Sequence, residues 1–466
     1  MELSPVLAHI DADFDAAVAR LSDLLRIPSV STDPAFDQDT RRAADWLVDD
    51  LRTMGFNAAA RPTIGHPMVV ATHDGPPGYD GPRILYYGHY DVQPPDPLDL
   101  WESGPFEPVI RPSAYGDGKK IVARGAVDDK GQVMTFLEAF RAWHKVHGGP
   151  PVAVTVMLEG EEESGSGSLE PFLRENTADL AADVCVVSDT GMWNIDTPAI
   201  TYMLRGMVYI EAVLHGPNRD LHSGVYGGNV VNPCNALAEI LGKLHDRDGR
   251  VRIPGFYKDV RELEKKELKR WGELEFDEAA FMGSIGMKKS FGEKGRSPLE
   301  RMWSRPTLDI NGLYGGYQGK GAKTVIGSHA GAKISCRLVP DQNPDKIRKA
   351  LVRYLEKHTP PGCRWEFQDH GCNPAIRVPT DSAFLRAAIR ALKQVFPREP
   401  AVIGCGGSIP AVGSIQRILG YDSLLVGFGL EDDCVHSPNE KFELKCFANG
   451  IRAHATMLSE FAALRT

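Results

Sequence analysis

The chain has 466 residues, 42% hydrophobic and 25% charged, with a net charge of −9. That length exceeds one ordinary hydrophobic core, so two domains are expected, and the dispersed negative charge excludes the clustered Lys and Arg a nucleic-acid partner needs. No apolar segment approaches the roughly 18 residues of a membrane span, the start lacks the basic and apolar blocks of a secretion signal, and the eight cysteines contain no CxxC pair; a cytoplasmic protein with reduced thiols, no membrane association and no cysteine zinc site is expected.

From about Asp11 to Met54 the pattern predicts two helices. FDAAVARLSDLLRI has apolar residues at helical spacing and stops at Ile27-Pro28; TRRAADWLVDDLRTMG is amphipathic and ends at Gly55, a good C-cap. Short apolar runs follow: MVVATHD, RILYYGH, VAVTVMLEG and DVCVVSD. Helical patterns lie among them, notably DDKGQVMTFLEAFRAWHKV and SLEPFLREN. Strands alternating with helices predict a mostly parallel sheet covered on both faces.

The pattern changes near Leu204. MVYIEAVLHG reads as a strand, and VNPCNALAEILGKLHD as a helix with Asn232 as cap and Pro233 at its first position. A charged, largely helical insert follows (KDVRELEKKELKRW), within a stretch from 257 to 305 that has no assignable motif. TLDINGLYGG and AGAKISCRLVP read as strands, NPDKIRKALVRYLEKH as a second helix with an Asn-Pro start, and CRWEFQDHG as a last strand. The order β-α-β-β-α-β is the ferredoxin-like arrangement. The first pattern then resumes with the helix SAFLRAAIRALKQVF, the strand SLLVGFG and a closing helix, FELKCFANGIRAHATMLSEFAAL. The expected boundaries are therefore 1–203 and 376–466 for one domain and 204–375 for a domain inserted into it.

Polar residues gather where the strands end. GHYD closes RILYY, EGEEESGSGS follows VAVTVML, Asp189 ends DVCVVSD, and His436 lies in LEDDCVHSPNE beyond SLLVGFG. Asp128, in ARGAVDDKG, precedes a helix. In open α/β sheets, ligands bind beyond the carboxyl ends of the strands. His89, Asp128, Glu163, Asp189 and His436 make a set of two imidazoles and three carboxylates, suited to divalent Zn, Mn or Co. One carboxylate shared by two metals, with a free carboxylate such as Glu162 as proton shuttle, is a composition that activates water. Taken singly, each has an ordinary reading. HxD can cap a turn, a Glu triplet can be a solvated surface, Asp128 can complement a helix dipole, and Asp189 can form an Asx turn. The joint pattern favours the metal.

GHYDVQP, ARGAVDDKG, EGEEESGSGS, DLHSGVYGG, GAKTVIG, SCRLVP, GGSIP and VHSPNE together resemble, in this order, the M20 metallopeptidases, and within them the carnosinase-like, cytosolic non-specific dipeptidase branch. The resemblance covers nearly the whole chain. It implies an α/β fold in which a phosphorylase/hydrolase-like mixed sheet sandwiched by helices carries a dinuclear zinc site, with an inserted ferredoxin-like α+β lid and dimerisation domain. It implies two divalent ions, zinc first and Mn or Co as alternatives. Asp128 would bridge them, Glu163 and His436 binding on one side and His89 and Asp189 on the other. Asp91 would orient the His89 imidazole, and Glu162 would be the general base. His222 would stabilise the oxyanion, usually in the partner subunit's site, and Thr324 would be a second oxyanion contact. Arg337 would grip the substrate's terminal carboxylate, with Ser408 and His370 beside it. On their own, His222 can cap a loop, Arg337 can make a surface ion pair, and Thr324 and Ser408 can be ordinary strand and turn residues. The implied activity is hydrolysis of dipeptides or short peptides with a free C-terminal carboxylate by a homodimer; the alternative is an N-acyl amino acid deacylase. A non-catalytic relative is disfavoured because Glu162 and every ligand are present, and a serine hydrolase because no GxSxG elbow with suitable partners occurs. One departure is Ile403-Gly404-Cys405 before GGSIP, where the dipeptidase branch leads one to expect a charged pair.

Overall fold

The computed structural model describes residues 1–464. They form two compact units: residues 1–202, 378–403 and 410–464, and residues 203–377 with 404–409.

In the first unit a mixed sheet runs in the order Asn57–Arg61, Met68–His73, Ala153–Glu159, Arg83–His89, Val184–Val187, Ser423–Leu425, Ala199–Leu204. Four neighbours, Ala153–Glu159 through Ser423–Leu425, are mutually parallel; the other pairs in this order are antiparallel. The sheet is thus less parallel than the alternation of strands and helices suggests. The strand Asn57–Arg61 follows its helix by a short turn and pairs with the adjacent Met68–His73 as a hairpin. Strands Arg83–His89 and Ala153–Glu159 are buried along almost their whole length, as expected of strands with both faces covered.

The helix Lys130–His147 is buried on every side from Lys130 to Trp143 and ends at Gly148, whose φ of 84° is the left-handed cap conformation. It packs against the closing helix Leu444–Ala462, where Trp143 Nε1 donates to the Ala455 carbonyl at 3.1 Å. Helix Asp37–Thr53 buries Thr40, Ala43, Ala44, Leu47, Val48 and Leu51, a single helical stripe. Several elements lie outside the sequence reading, the strands Asn57–Arg61 and Ala199–Leu204 among them. The helix Ser4–Ala12 buries only Val6 and Ile10. The strand Ala401–Cys405 and the helix Pro410–Leu419 flank the GGSIP turn, too short and glycine-rich to show a period.

A small sheet of Val109–Pro112, Lys119–Val122 and Lys441–Glu443 ties two distant loops together. Phe442 pairs with Ile121, so the residues after Val122 and those before Lys441 leave side by side. Those two segments carry Asp128 and His436.

The second unit is the ferredoxin-like arrangement. Its antiparallel sheet has the order Thr307–Gly315, His329–Leu338, Gly206–His215, Arg364–Asn373. Burial alternates perfectly along Gly206–His215, so one face is covered and the other is not. Val208, Ile210, Ala212 and Leu214 meet Leu237 and Ile240 of helix Pro233–Leu241 and Ile347, Leu351 and Leu355 of helix Pro344–Lys357. Both Asn-Pro starts behave as read: Asn232 accepts from Cys234 N and Asn343 from Lys346 N. The insert is less helical than its charge pattern suggests. Within KDVRELEKKELKRW only the part inside Lys265–Gly272 is helical. The insert's core is instead ionic and aromatic: Glu293 receives both Nε and Nη2 of Arg305 at 2.7 and 2.8 Å, and Trp271 meets Trp303 edge-on at 5.0 Å.

Candidate metal centre

The parallel strands of the first unit share a carboxyl edge, and the ligand candidates emerge from it. His89 ends one strand. Glu162 and Glu163 follow Glu159 through a single 3-10 turn. Asp189 lies two residues beyond Val187, and His436 lies in the loop after Ser423–Leu425. The result is two triads, His89–Asp128–Asp189 and Asp128–Glu163–His436, each with ligand atoms within 4.8 Å of one another. Asp128 belongs to both. Its Oδ1 lies 3.2 Å from His89 Nε2, and its Oδ2 lies 2.9 Å from His436 Nε2. His436 Nε2 is also 3.3 Å from Glu163 Oε1. His89 is 1% exposed and His436 52%, so the site opens to solvent on the His436 side.

Asp91 sits beneath this set, fully buried. Its carboxylate accepts from Ser31 Oγ at 2.6 Å and from the backbone N–H groups of Glu162 and Glu163 at 3.2 and 3.0 Å, and it lies 3.5 Å from His89 Nδ1. Strand end and Glu loop are therefore pinned by one side chain. Gln93 Nε2 donates to Glu163 Oε2 at 2.8 Å. Asp128 is held from the other side by Glu440. This buried carboxylate accepts from the N–H groups of Gly125, Val127 and Asp128 and from Arg124 Nη1, all between 2.7 and 3.0 Å.

The electrostatics suit a cation. The Asp128 and Glu163 hydrogen bonds hold His436 up, to about 10. Burial alone would lower His89, but Asp128 and Asp91 outweigh it and raise it well above the ordinary imidazole range. In the chain alone, protons on two imidazoles are thus the counter-charge to Asp128 and its carboxylate neighbours, while burial and the charges of Asp129 and Asp128 raise Asp189 well above the usual carboxylate range. Divalent cations take that role when bound, and imidazoles ligate only after losing the proton. The mixed N and O set, with one shared carboxylate, fits a pair of such ions. Burial first, then the charges of Glu163, Asp91 and Asp128 against that of His89, push Glu162 up to about 7. A bound cation would draw it down again.

The remaining residues of the sequence reading lie in the second unit. His222 Nδ1 accepts from Gly224 N at 3.0 Å and caps the turn Ser223–Tyr226. That bond assigns the proton of a neutral imidazole to Nε2, which then faces outward as a donor. Thr324 precedes Val325, the partner of His222 in a two-residue ladder, and its carbonyl accepts from Ser223 N at 3.1 Å. Arg337, on His329–Leu338, donates from Nη1 to Ser408 Oγ at 3.2 Å. His370 has a partner of a different kind: its Nε2 is 3.3 Å from Glu211 Oε2, and its ring lies 5.2 Å from that of Tyr209 on the uncovered sheet face.

Glu440 and Gln93 escaped the sequence reading, although both stand inside the motifs VHSPNE and GHYDVQP. Neither residue carries a ligand signature; a carboxylate four residues beyond a candidate histidine was the available clue.

The peptidase family M20/M25/M40 matches residues 85–460. A Cys-Gly metallodipeptidase of Candida albicans, DUG1, is 32% identical over 97% of this chain and 96% of its own length. The human Beta-Ala-His dipeptidase is 31% identical over 99% of this chain and 93% of its own. A solved M20 metallo-carboxypeptidase from Sulfolobus solfataricus superposes with a TM-score of 0.84 at 32% identity, covering 96% of this chain and 99% of that one. With two triads sharing one aspartate at the sheet edge, and likeness along nearly its whole length, the chain belongs to the peptidase family M20/M25/M40.

Proposed function

We propose that this metallopeptidase hydrolyses dipeptides or short peptides with a free C-terminal carboxylate. The observation that carries the reading is the pair of triads sharing Asp128; the dipeptidase names of similar chains set the substrate class. His89 and Asp189 would hold one divalent ion and Glu163 and His436 the other, with Asp128 available to both; zinc is the first choice, manganese or cobalt the alternatives. Such ions supply Lewis acidity and lower the pKa of water to about 7. Glu162 takes the proton of the attacking water and delivers it to the leaving amine, and Asp91 keeps the His89 ring oriented.

His222 Nε2–H, with Thr324 beside it, donates to the developing oxyanion, a contribution of about 2.7–4 kcal/mol per preorganised donor. Arg337, steadied by Ser408, takes the C-terminal carboxylate through its planar fork. His370, bonded to Glu211, has at most a peripheral part in substrate binding. The active form is a homodimer joined through the second unit, His222 serving the partner's site. The free thiols, Cys372 and Cys434 among them exposed, suit a reducing cytoplasm.

Metal-stripped protein assayed on a mixed panel of dipeptides and N-acyl amino acids, with and without Zn or Mn, tests the reading. Metal-dependent release of amino acids from dipeptides is expected. Cleavage of acyl amino acids alone would move the protein to the deacylases, and full activity without metal would overturn the mechanism. For the dimer, mixing inactive His222→Ala and Glu162→Ala chains should restore partial activity; verified heterodimers without recovery would refute action in trans.

A further inference from the structure

The second unit holds positive charge that the unit itself does not neutralise. Arg205 donates its backbone N–H to the Gly407 carbonyl and its Nε to the Gly406 carbonyl, both at 3.0 Å. Arg337 Nη1 bonds to Ser408 Oγ. Two arginines are thus fastened to three consecutive residues, their guanidinium groups to Gly406 and Ser408 and the Arg205 backbone to Gly407. The fit is close: a Cβ on Gly406 would meet Arg205 Nη2 at 3.3 Å.

Arg205 Nη1 is buried and has no hydrogen-bond partner. Among the described residues, neither guanidinium has a carboxylate at ion-pair distance, and the preceding Ile403-Gly404-Cys405 supplies none. Burial and then the charge of Arg337 hold Arg205 down, to about 10, against the weaker pull of Cys405 and Asp309. A buried donor without an acceptor, beside a like charge, is an arrangement that an anion relieves. One carboxylate satisfies one of the two arginines. The second remains for another.

We propose that Arg205 and Arg337, set by the Gly406–Ser408 loop, form a site for two carboxylates, so that the preferred dipeptides end in glutamate or aspartate. One guanidinium takes the α-carboxylate and the other the side-chain carboxylate. The proposal rests on the reading that Arg337 receives the substrate's terminal carboxylate.

The test compares Ala-Glu with the isosteric but neutral Ala-Gln on the metal-loaded enzyme, by kcat/KM and by calorimetric binding to metal-depleted protein. A charge-assisted pair predicts a preference for Ala-Glu of about tenfold or more. Arg205→Gln should collapse the Glu/Gln ratio toward one, and Arg205→Lys, which keeps the charge but not the fork, should restore part of it. Because the readout is a ratio within one variant, partial loss of folding does not mimic it; thermal unfolding of each variant checks this. Hydrolysis of both dipeptides at equal kcat/KM would overturn the two-carboxylate site and leave the dipeptidase reading intact. Preferential binding of Ala-Glu without hydrolysis would uphold the site and overturn the dipeptidase reading. Absence of binding and cleavage of both overturns both. A Glu preference that survives unchanged in Arg205→Gln would remove Arg205 from the site.

Discussion

Asp91 in the first unit accepts three hydrogen bonds from Ser31, Glu162 and Glu163, and Glu440 accepts four around Asp128. His222 in the second unit has a single side-chain bond, to a backbone N–H two residues away, and stands exposed. The contrast follows from what each region must hold. Carboxylates packed around cations repel one another until the metal arrives, so buried donors must fix them beforehand. A residue that meets a substrate needs a defined tautomer or an open fork, and one or two local bonds supply it. Rigid clamping marks the candidate metal centre; locally set, accessible side chains mark the surface proposed to read the substrate.

The sharpest way to test that contrast is Glu162→Gln. It should lower kcat by about 10²–10⁴ while metal content, read by atomic absorption, stays at the wild-type level; loss of metal instead would make Glu162 a ligand. Next is Glu440→Gln, which cannot accept from Arg124 and three N–H groups in the same way. Metal affinity, measured by competition with a chelating dye, should fall about 10–100-fold, and the melting temperature should drop as well. Unchanged affinity would show that the Asp128 loop needs no clamp. On the substrate-reading side, Arg337→Lys should lower kcat/KM for dipeptides about tenfold or more, chiefly through KM, with metal content unaltered.

A smaller effect concerns pH. Burial holds His454 down to about 3, its Nε2 2.8 Å from Ser188 Oγ among the rings of Tyr86, Phe136 and Phe428. Its folded-state pKa lies below the unfolded value of 6.5, so the unfolded chain binds the proton first. Stability is complete above 6.5 and is lost as pH falls from 6.5 toward 3, by at most about 1.4 kcal/mol per pH unit from this group. His454→Phe should flatten the pH dependence of urea unfolding in that window. Smallest of all, His370→Ala should change stability and KM within about 0.5 kcal/mol; a tenfold rise in KM would move His370 into the binding surface.

Much of the fold was legible because its elements carry strong local signals. The strand RILYYGH has an unbroken apolar run between Arg83 and His89, helix Asp37–Thr53 shows one apolar stripe, and two Asn-Pro caps start the helices of the second unit. Parallelism was overestimated because strand direction depends on which strands become neighbours. Nothing in MVVATHD states that it will pair antiparallel with VAVTVMLE. The insert misled because charged residues of its helix-like pattern serve ion pairs, such as Glu262 with Arg296 and Arg305, more than a helical face.

The candidate ligands, two histidines and three carboxylates with a spare glutamate, could be picked out from the sequence alone, because ligand chemistry depends on residue type and on its place beside an apolar run or a helix start. Tertiary structure decided how they meet. The pairing of Phe442 with Ile121 brings the His436 and Asp128 segments together across more than 300 positions, and Glu440 locks them there. It also decided that Arg205 would stand beside Arg337 with an unanswered N–H. Such juxtapositions arise from strand order and loop packing, which no local spacing encodes.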